Sequence, residues 1–348
     1  MSGKKKIFWS LFSPVLAGLT IWAVLSQSRK WSLGSMLESL EHANPVWLCA
    51  AVLGMALFIL MEGVALSVIL KGIGYRQPLS RNLLYSTADI YFSAITPSAT
   101  GGQPASAFFM VKDGVPAGAA TVALLVNLIL YTISLVLLGL GSVIVYPALF
   151  FDLGLLARVL IGIGFAIQIG LTAAFFALLG NAPAIFAAMR RFLRFLHRKK
   201  LIHRLEHRMQ RMDDAQTEYE TCAKLMKGKR KEFLLGLLCN LIQRASQLAV
   251  PMCMYMALGG RAENAGLLFA SQCLVVLGYA PVPIPGAMGV ADYLMVDAFS
   301  CLGFIAVEDA IRLEMLSRGL SFYICVALSG VATLTGYLLL RKKGKETA

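Results

Sequence analysis

Six apolar runs, at about 7–25, 46–70, 117–146, 154–180, 232–258 and 312–340, leave this chain few ways to fold. Each lies near or above the roughly 20 residues a helix needs to cross about 30 Å of hydrocarbon. In that medium no water serves the backbone, so each run must satisfy its own N–H and C=O groups as a helix. With 58% hydrophobic and 15% charged residues and a mean hydropathy of +0.71, a soluble domain is excluded. The expected fold class is an all-α polytopic membrane protein with six full spans.

Two stretches break the apolar pattern. The first reads Ile95-Thr96-Pro97-Ser98-Ala99-Thr100-Gly101-Gly102-Gln103-Pro104, the second Ala280-Pro281-Val282-Pro283-Ile284-Pro285-Gly286-Ala287-Met288-Gly289. Both contain Pro-x-x-x-Gly, as Pro97 to Gly101 and Pro285 to Gly289. The helical pieces beside the first, 82–96 and 105–111, reach only about 22 Å and 10 Å at 1.5 Å per residue. They predict a re-entrant hairpin over 82–112, with Pro104 at the first helical position of its return arm. The second broken region, 265–305, has longer predicted arms, and hydropathy leaves open a hairpin or two full spans.

Of 32 Lys and Arg residues, 25 fall on one face when each broken region returns to the side it entered. The positive-inside rule makes that face cytoplasmic and places both termini there, in a bacterial inner membrane. Fourteen of the 25 lie in 190–231, inside a basic insert, 183–231, with apolar residues at helical spacing. This predicts an amphipathic helix on the anionic inner leaflet. The net charge of +13 thus points to membrane lipids rather than nucleic acid. His203-Arg204-Leu205-Glu206-His207 matches H-x-x-E-H, but the surrounding cations argue against a metal there. The run 7–25 reads as an uncleaved span and not a signal peptide. Seven cysteines without CxxC spacing suggest neither disulfides nor a metal site.

Polar side chains inside the spans narrow the site. Glu62 in span two is costly in lipid and faces protein, water or a partner, or else reaches the interface near the helix end. Asn240, Gln243, Arg244 and Gln247 collect on one side of span five. Arg318 lies about two turns into the last span and needs a carboxylate, carbonyls, water or an anionic ligand. Asp89, Asp292 and Asp297 flank the broken stretches. Gly139, Gly141, Gly162, Gly164 and Gly170 predict close packing of spans three and four.

In order, the elements run span, span, hairpin, span, twice. Three crossings per half is odd, so the halves, 1–153 and 154–348, are expected to form an inverted repeat with broken helices meeting near the midplane. Residues 95–104 with the following Ala-x-x-Phe-Phe-Met, the block Pro283-Ile284-Pro285-Gly286-Ala287-Met288-Gly289-Val290-Ala291-Asp292, and Arg318 with Ser321-Phe322-Tyr323 resemble the transmembrane, flippase-like domain of the lysylphosphatidylglycerol synthase family. The chain departs from that pattern at Ala287, where glycine is common, at Asp292, where Glu is usual, and in lacking a proline one turn beyond the tyrosine. The aminoacyl-transferase domain of longer members is not seen, so synthase activity is not carried over.

The expected activity is translocation of a phospholipid or polyprenyl-phosphate head group through a polar cavity, without a cofactor and without enzymatic chemistry. Return-arm N-termini carry free N–H groups and partial positive charge. Thr96, Pro97, Ser98, Thr100, Gly101, Gly102 and Gln103 on one tip, and Pro285, Gly286 and Gly289 on the other, are candidate head-group contacts. Asp292, Arg244, Arg318 and Tyr323 complete the binding set, with Glu62, Asp89 and Asp297 as candidates for proton coupling. The rivals are a membrane enzyme acting on lipid-linked substrates and a scaffold that recruits partners through its basic segment. The expected partners are membrane lipids, with a homo-oligomer or a partner membrane protein as further candidates.

Overall fold

Asn44 opens the first described span by accepting a hydrogen bond from the Val46 amide at 2.9 Å, with Pro45 at the first helical position. A computed structural model describes residues 40–96, 99–198 and 205–346. The run 7–25, Pro97, Ser98, His203 and Arg204 lie outside the described residues. Helices and turns make up what is described, with no strand among the described residues.

The chain order is α1 (Pro45–Gly72), α2 (Leu79–Ile95), α3 (Gly102–Lys112), α4 (Ala117–Val145), α5 (Pro147–Asp152) and α6 (Leu155–Gly180). There follow α7 (Ala182–Arg198), α8 (Leu205–Lys227), α9 (Arg230–Leu248), α10 (Val250–Ala257), α11 (Ala265–Tyr279) and α12 (Val290–Ser300). Last come α13 (Val307–Arg318), a wider π turn at Gly319–Ile324 and α14 (Cys325–Glu346). Five stretches are long and apolar enough to span: Pro45–Gly72, Ala117–Val145, Leu155–Gly180, Arg230–Ala257 and Val307–Leu339. They coincide with five of the six apolar runs. The fourth bends at Ala249, because Pro251 has no N–H to offer the Gln247 carbonyl.

Both broken regions are helical fold-backs. In the first, Asp113 at the end of α3 meets Arg81 at 3.2 Å and the Tyr85 hydroxyl at 2.8 Å near the start of α2. Gln103 at the start of α3 meets Asp89 further along. These pairings run in opposite directions, so α2 and α3 are antiparallel. Helix α3 begins at Gly102, which moves Pro104 to its third residue. In the second, Gly278 at the end of α11 lies against Leu294 near the start of α12. Its arms have 15 and 11 residues, against 17 and 11 in the first. The expectation of longer arms is therefore corrected: the return arm stops at Ser300, and neither arm reaches about 30 Å.

Two apolar cores flank a polar layer. One gathers Ala51, Met55 and Phe58 of α1 with Leu268, Leu274, Leu294, Phe299 and Leu313. The other gathers Leu66, Ile69 and Leu70 of α1 with Phe109, Met110, Val122, Val126 and Tyr219. Glu62 sits on α1 between them.

The insert is two helices, which corrects the single amphipathic helix. Helix α8 packs on α4 and puts Tyr219, Cys222, Ala223 and Met226 into the second core. Gly118 admits it, since a Cβ there would stand 2.6 Å from the Ala215 carbonyl. The Tyr75 hydroxyl donates to Glu218 at 2.5 Å, and that bond pushes the phenol up to about 12. Helix α7 leaves Met189, Phe192 and Phe195 exposed.

Only some glycines serve packing. A Cβ on Gly164 would stand 1.9 Å from the Leu277 carbonyl, and one on Gly139 would meet the Leu277 side chain at 2.3 Å. Gly141, Gly162 and Gly170 face open space, which corrects their assignment to a helix interface. Gly164→Ala is expected to cost about 1–3 kcal/mol by overpacking. Gly162→Ala should fall within about 1 kcal/mol of wild type. Thermal unfolding of the detergent-solubilised variants checks both.

Candidate functional site

Glu62 faces protein, not the interface. It is 5% exposed and accepts hydrogen bonds from the Asn127 amide at 2.9 Å and from the Gln243 amide. Asn240 in turn donates to Asn127 at 3.1 Å, so α1, α4 and α9 are tied through amide side chains. The Arg244 guanidinium lies 3.9 Å from Glu62, donates to Gln247 at 2.8 Å, and stacks on Tyr131 at 4.2 Å and Phe58 at 5.0 Å. Aromatic faces favour a desolvated cation. The buried Arg244 Nε, Asn240 Oδ1 and Gln243 Oε1 have no hydrogen-bond partner among the described residues.

Asp89 joins this cluster from α2. It accepts from Gln103 at 3.0 Å and Ser93 at 3.2 Å. A Cβ on Gly102 would stand 1.9 Å from Asp89 Oδ1, so glycine lets the first turn of α3 close on that carboxylate. Thr96 staples the loop, donating to the Phe92 carbonyl at 2.6 Å and accepting from the Gly101 amide at 2.9 Å. Thr100 is exposed.

The second cluster is built alike. Arg318, 5% exposed, donates to Asp292 and, at 3.0 Å, to the Gly286 carbonyl. Its Nε lies 3.9 Å from Glu314, one turn back on α13. Asp292 also accepts from the Gly289 amide at 2.9 Å, closing the first turn of α12. The π turn carries Phe322 under both Gly286, where a Cβ would meet the ring at 2.3 Å, and Arg318, 5.2 Å above the ring. Tyr323 lies within electrostatic reach of Arg318, Asp292 and Glu314. Each cluster therefore holds one Arg, one Asp and one Glu.

The Pro285–Ala287 turn packs against α2, and Tyr279 lies within electrostatic reach of both Arg318 and Arg244. Ala99 and Ala287, at φ 54° and 48°, are the described non-glycine residues in the left-handed region, one on each tip. That conformation disfavours a Cβ, which accounts for the glycine common at position 287 in the family pattern and makes Ala287 a strained departure from it. Ala287→Gly is expected to stabilise the protein by about 1 kcal/mol, read as a raised unfolding midpoint.

A family model described as the lysylphosphatidylglycerol synthase TM region matches residues 10–329. The chain belongs to that family. It matches no curated protein and no solved structure. In this lysylphosphatidylglycerol synthase TM-region chain, Gly102 and Gln103 of the first motif meet Asp89, and Gly286, Gly289, Asp292, Arg318 and Phe322 of the others build the second cluster. The candidate Asp297 lies in neither: it accepts from the Gly154 amide at 3.1 Å, ahead of α6. A cavity of about 310 Å³ beside Tyr146, Asp152, Leu267 and Cys301 holds none of the candidate residues.

Sequence reasoning missed Glu314, Asn127, Phe58, Tyr131 and Tyr279, and named Phe322 only within the motif beside Tyr323, without a role. Glu314 had a signal, a carboxylate four residues before a buried arginine. Asn127 had one too, as a lone amide in an apolar span. The aromatic residues had none, because phenyl rings are ordinary in such helices.

Proposed function

We propose that the protein is a flippase-like lipid transporter. A phospholipid or polyprenyl-phosphate head group passes through a polar path between the two fold-backs while its tails stay in the bilayer. The observation that carries this is the pair of buried Arg–Asp–Glu clusters, one at each fold-back, in a chain otherwise built for hydrocarbon. Charges held inside a membrane are costly, and they mark substrate and ion pathways.

In this reading the first fold-back enters from the cytoplasm and the second from outside, as an inverted repeat in an inner membrane with both termini cytoplasmic. Arg244 and Arg318 receive the phosphate. Gly101, Gly102, Gly286 and Gly289 allow close backbone approach, and Thr96, Thr100, Gln103, Pro285, Asp292 and Tyr323 line the path. Glu62 and Asp89 provide proton coupling. Asp297 is left to hold α12 against the turn before α6. The exposed Met189, Phe192 and Phe195 of α7, beside Arg191 and Arg194, rest on the anionic inner leaflet.

The test is reconstitution into vesicles containing dye-labelled phospholipids, with the dye in the outer leaflet quenched chemically. Wild type should move label between leaflets faster than protein-free vesicles, and Gly102→Val should not. Folded protein that moves neither phospholipid nor polyprenyl-phosphate label would overturn the reading.

A further inference from the structure

We propose that Asp292 and Glu314 hold one proton between them, and that a second proton releases Arg318 to an anionic head group, so that head group and proton load together. This rests on the transport reading above and adds, at the second fold-back, a proton site to the one proposed at Glu62 and Asp89.

Arg318 bridges two carboxyls, with its Nη1 on Asp292 and its Nε 3.9 Å from Glu314. Two carboxylates and one guanidinium leave one uncompensated negative charge in a buried site, and a proton removes it.

The other groups facing the pair do not change the count. Tyr323 reaches in from the π turn and Tyr279 from α11, and both are neutral phenols. Asp297, five residues further along α12, is engaged at Gly154.

Arg318 is the other half of the device. Its Nη1 is held by Asp292 and its Nη2 by the Gly286 carbonyl. A phosphate can take the Nη1 donor only if Asp292 gives it up. When a proton from water forms an O–H bond on the second carboxyl, Asp292 loses the charge that held the guanidinium. The donor then turns to the phosphate oxygen. A monoanionic phosphate and one proton enter together, so the cluster stays neutral in both states. Because Arg318 also holds the Gly286 carbonyl, the exchange is felt at the tip that packs on α2.

The test uses the full chain in phosphatidylcholine vesicles. Infrared difference spectra in light and heavy water should show a protonated carboxyl band at neutral pH, weakened in both Glu314→Gln and Asp292→Asn. Affinity for short-chain phosphatidylglycerol should rise roughly tenfold for each unit the pH falls, until both carboxyls are protonated. The Asp292→Asn/Glu314→Gln double variant should bind it with no pH dependence. Absence of the band, or a band that neither substitution weakens, overturns the shared proton. Dye-labelled lipid bound and moved at a pH-independent rate by wild type overturns the switch and leaves transport standing. A shared proton without any lipid movement overturns transport, and with it the head-group half of the switch.

Discussion

Arg318→Ala should be the most damaging single change in the second fold-back. It leaves the Asp292 and Glu314 carboxyls buried without their cation and the Gly286 carbonyl without its donor. Breaking one partner out of a buried ion pair costs about 3–5 kcal/mol, because the charge left behind has no solvent. The Phe322 ring also loses the guanidinium above it, though that contact is worth less. The expected result is a strongly lowered unfolding midpoint and loss of lipid translocation. Arg318→Lys keeps the charge but cannot reach Asp292 and Gly286 together with a planar fork. It should recover much of the stability and little of the transport. Equal loss of both properties in the lysine variant would reduce Arg318 to a structural clamp.

Glu62→Ala should be comparably severe in the first cluster, again by about 3–5 kcal/mol. It removes the acceptor of both the Asn127 and Gln243 amides and the counter-charge of Arg244 at 3.9 Å. Unlike Arg318, the orphaned Arg244 keeps some support, since Tyr131 and Phe58 stack on it and Gln247 accepts from it. Glu62→Gln preserves volume and keeps one acceptor, and the unpartnered Gln243 Oε1 can turn to accept from the new amide, so it should lose less stability than Glu62→Ala. Its transport rate should respond less to a pH gradient than that of wild type. Unfolding midpoints and vesicle translocation with and without a gradient separate the two substitutions.

Much of this architecture could be read from residue order. The apolar runs locate the five described spans because burial of backbone in lipid admits only helices. The two Pro-x-x-x-Gly stretches locate the fold-backs for a matching reason: proline and glycine interrupt the ladder, and the arms beside them are too short to cross. Glu62, Arg244 and Arg318 were legible because a charge in an apolar helix is expensive enough to need a partner. The partner's identity was legible only where helical spacing supplied it, as for Glu314. Asn127 meets Glu62 across 65 positions, a contact that no local pattern encodes.

Other features depend on tertiary contact. Helix α8 is polar enough to suggest a surface helix, yet Gly118 lets it pack on α4 and bury Tyr219. Glycine content alone did not separate Gly164, which touches the Leu277 backbone, from Gly162, which touches nothing. The left-handed turns at Ala99 and Ala287 were hidden because alanine ordinarily signals helix. The π turn after Arg318, which brings Phe322 under Gly286, has no marker in the residues that form it.

Electron cryo-microscopy of the protein in nanodiscs containing anionic phospholipid should show head-group density between 101–103 and 286–289, within hydrogen-bonding distance of Arg244 or Arg318, if a lipid head group binds between the two fold-back tips. Well-resolved tips with lipid density confined to the outer helical surface would contradict it.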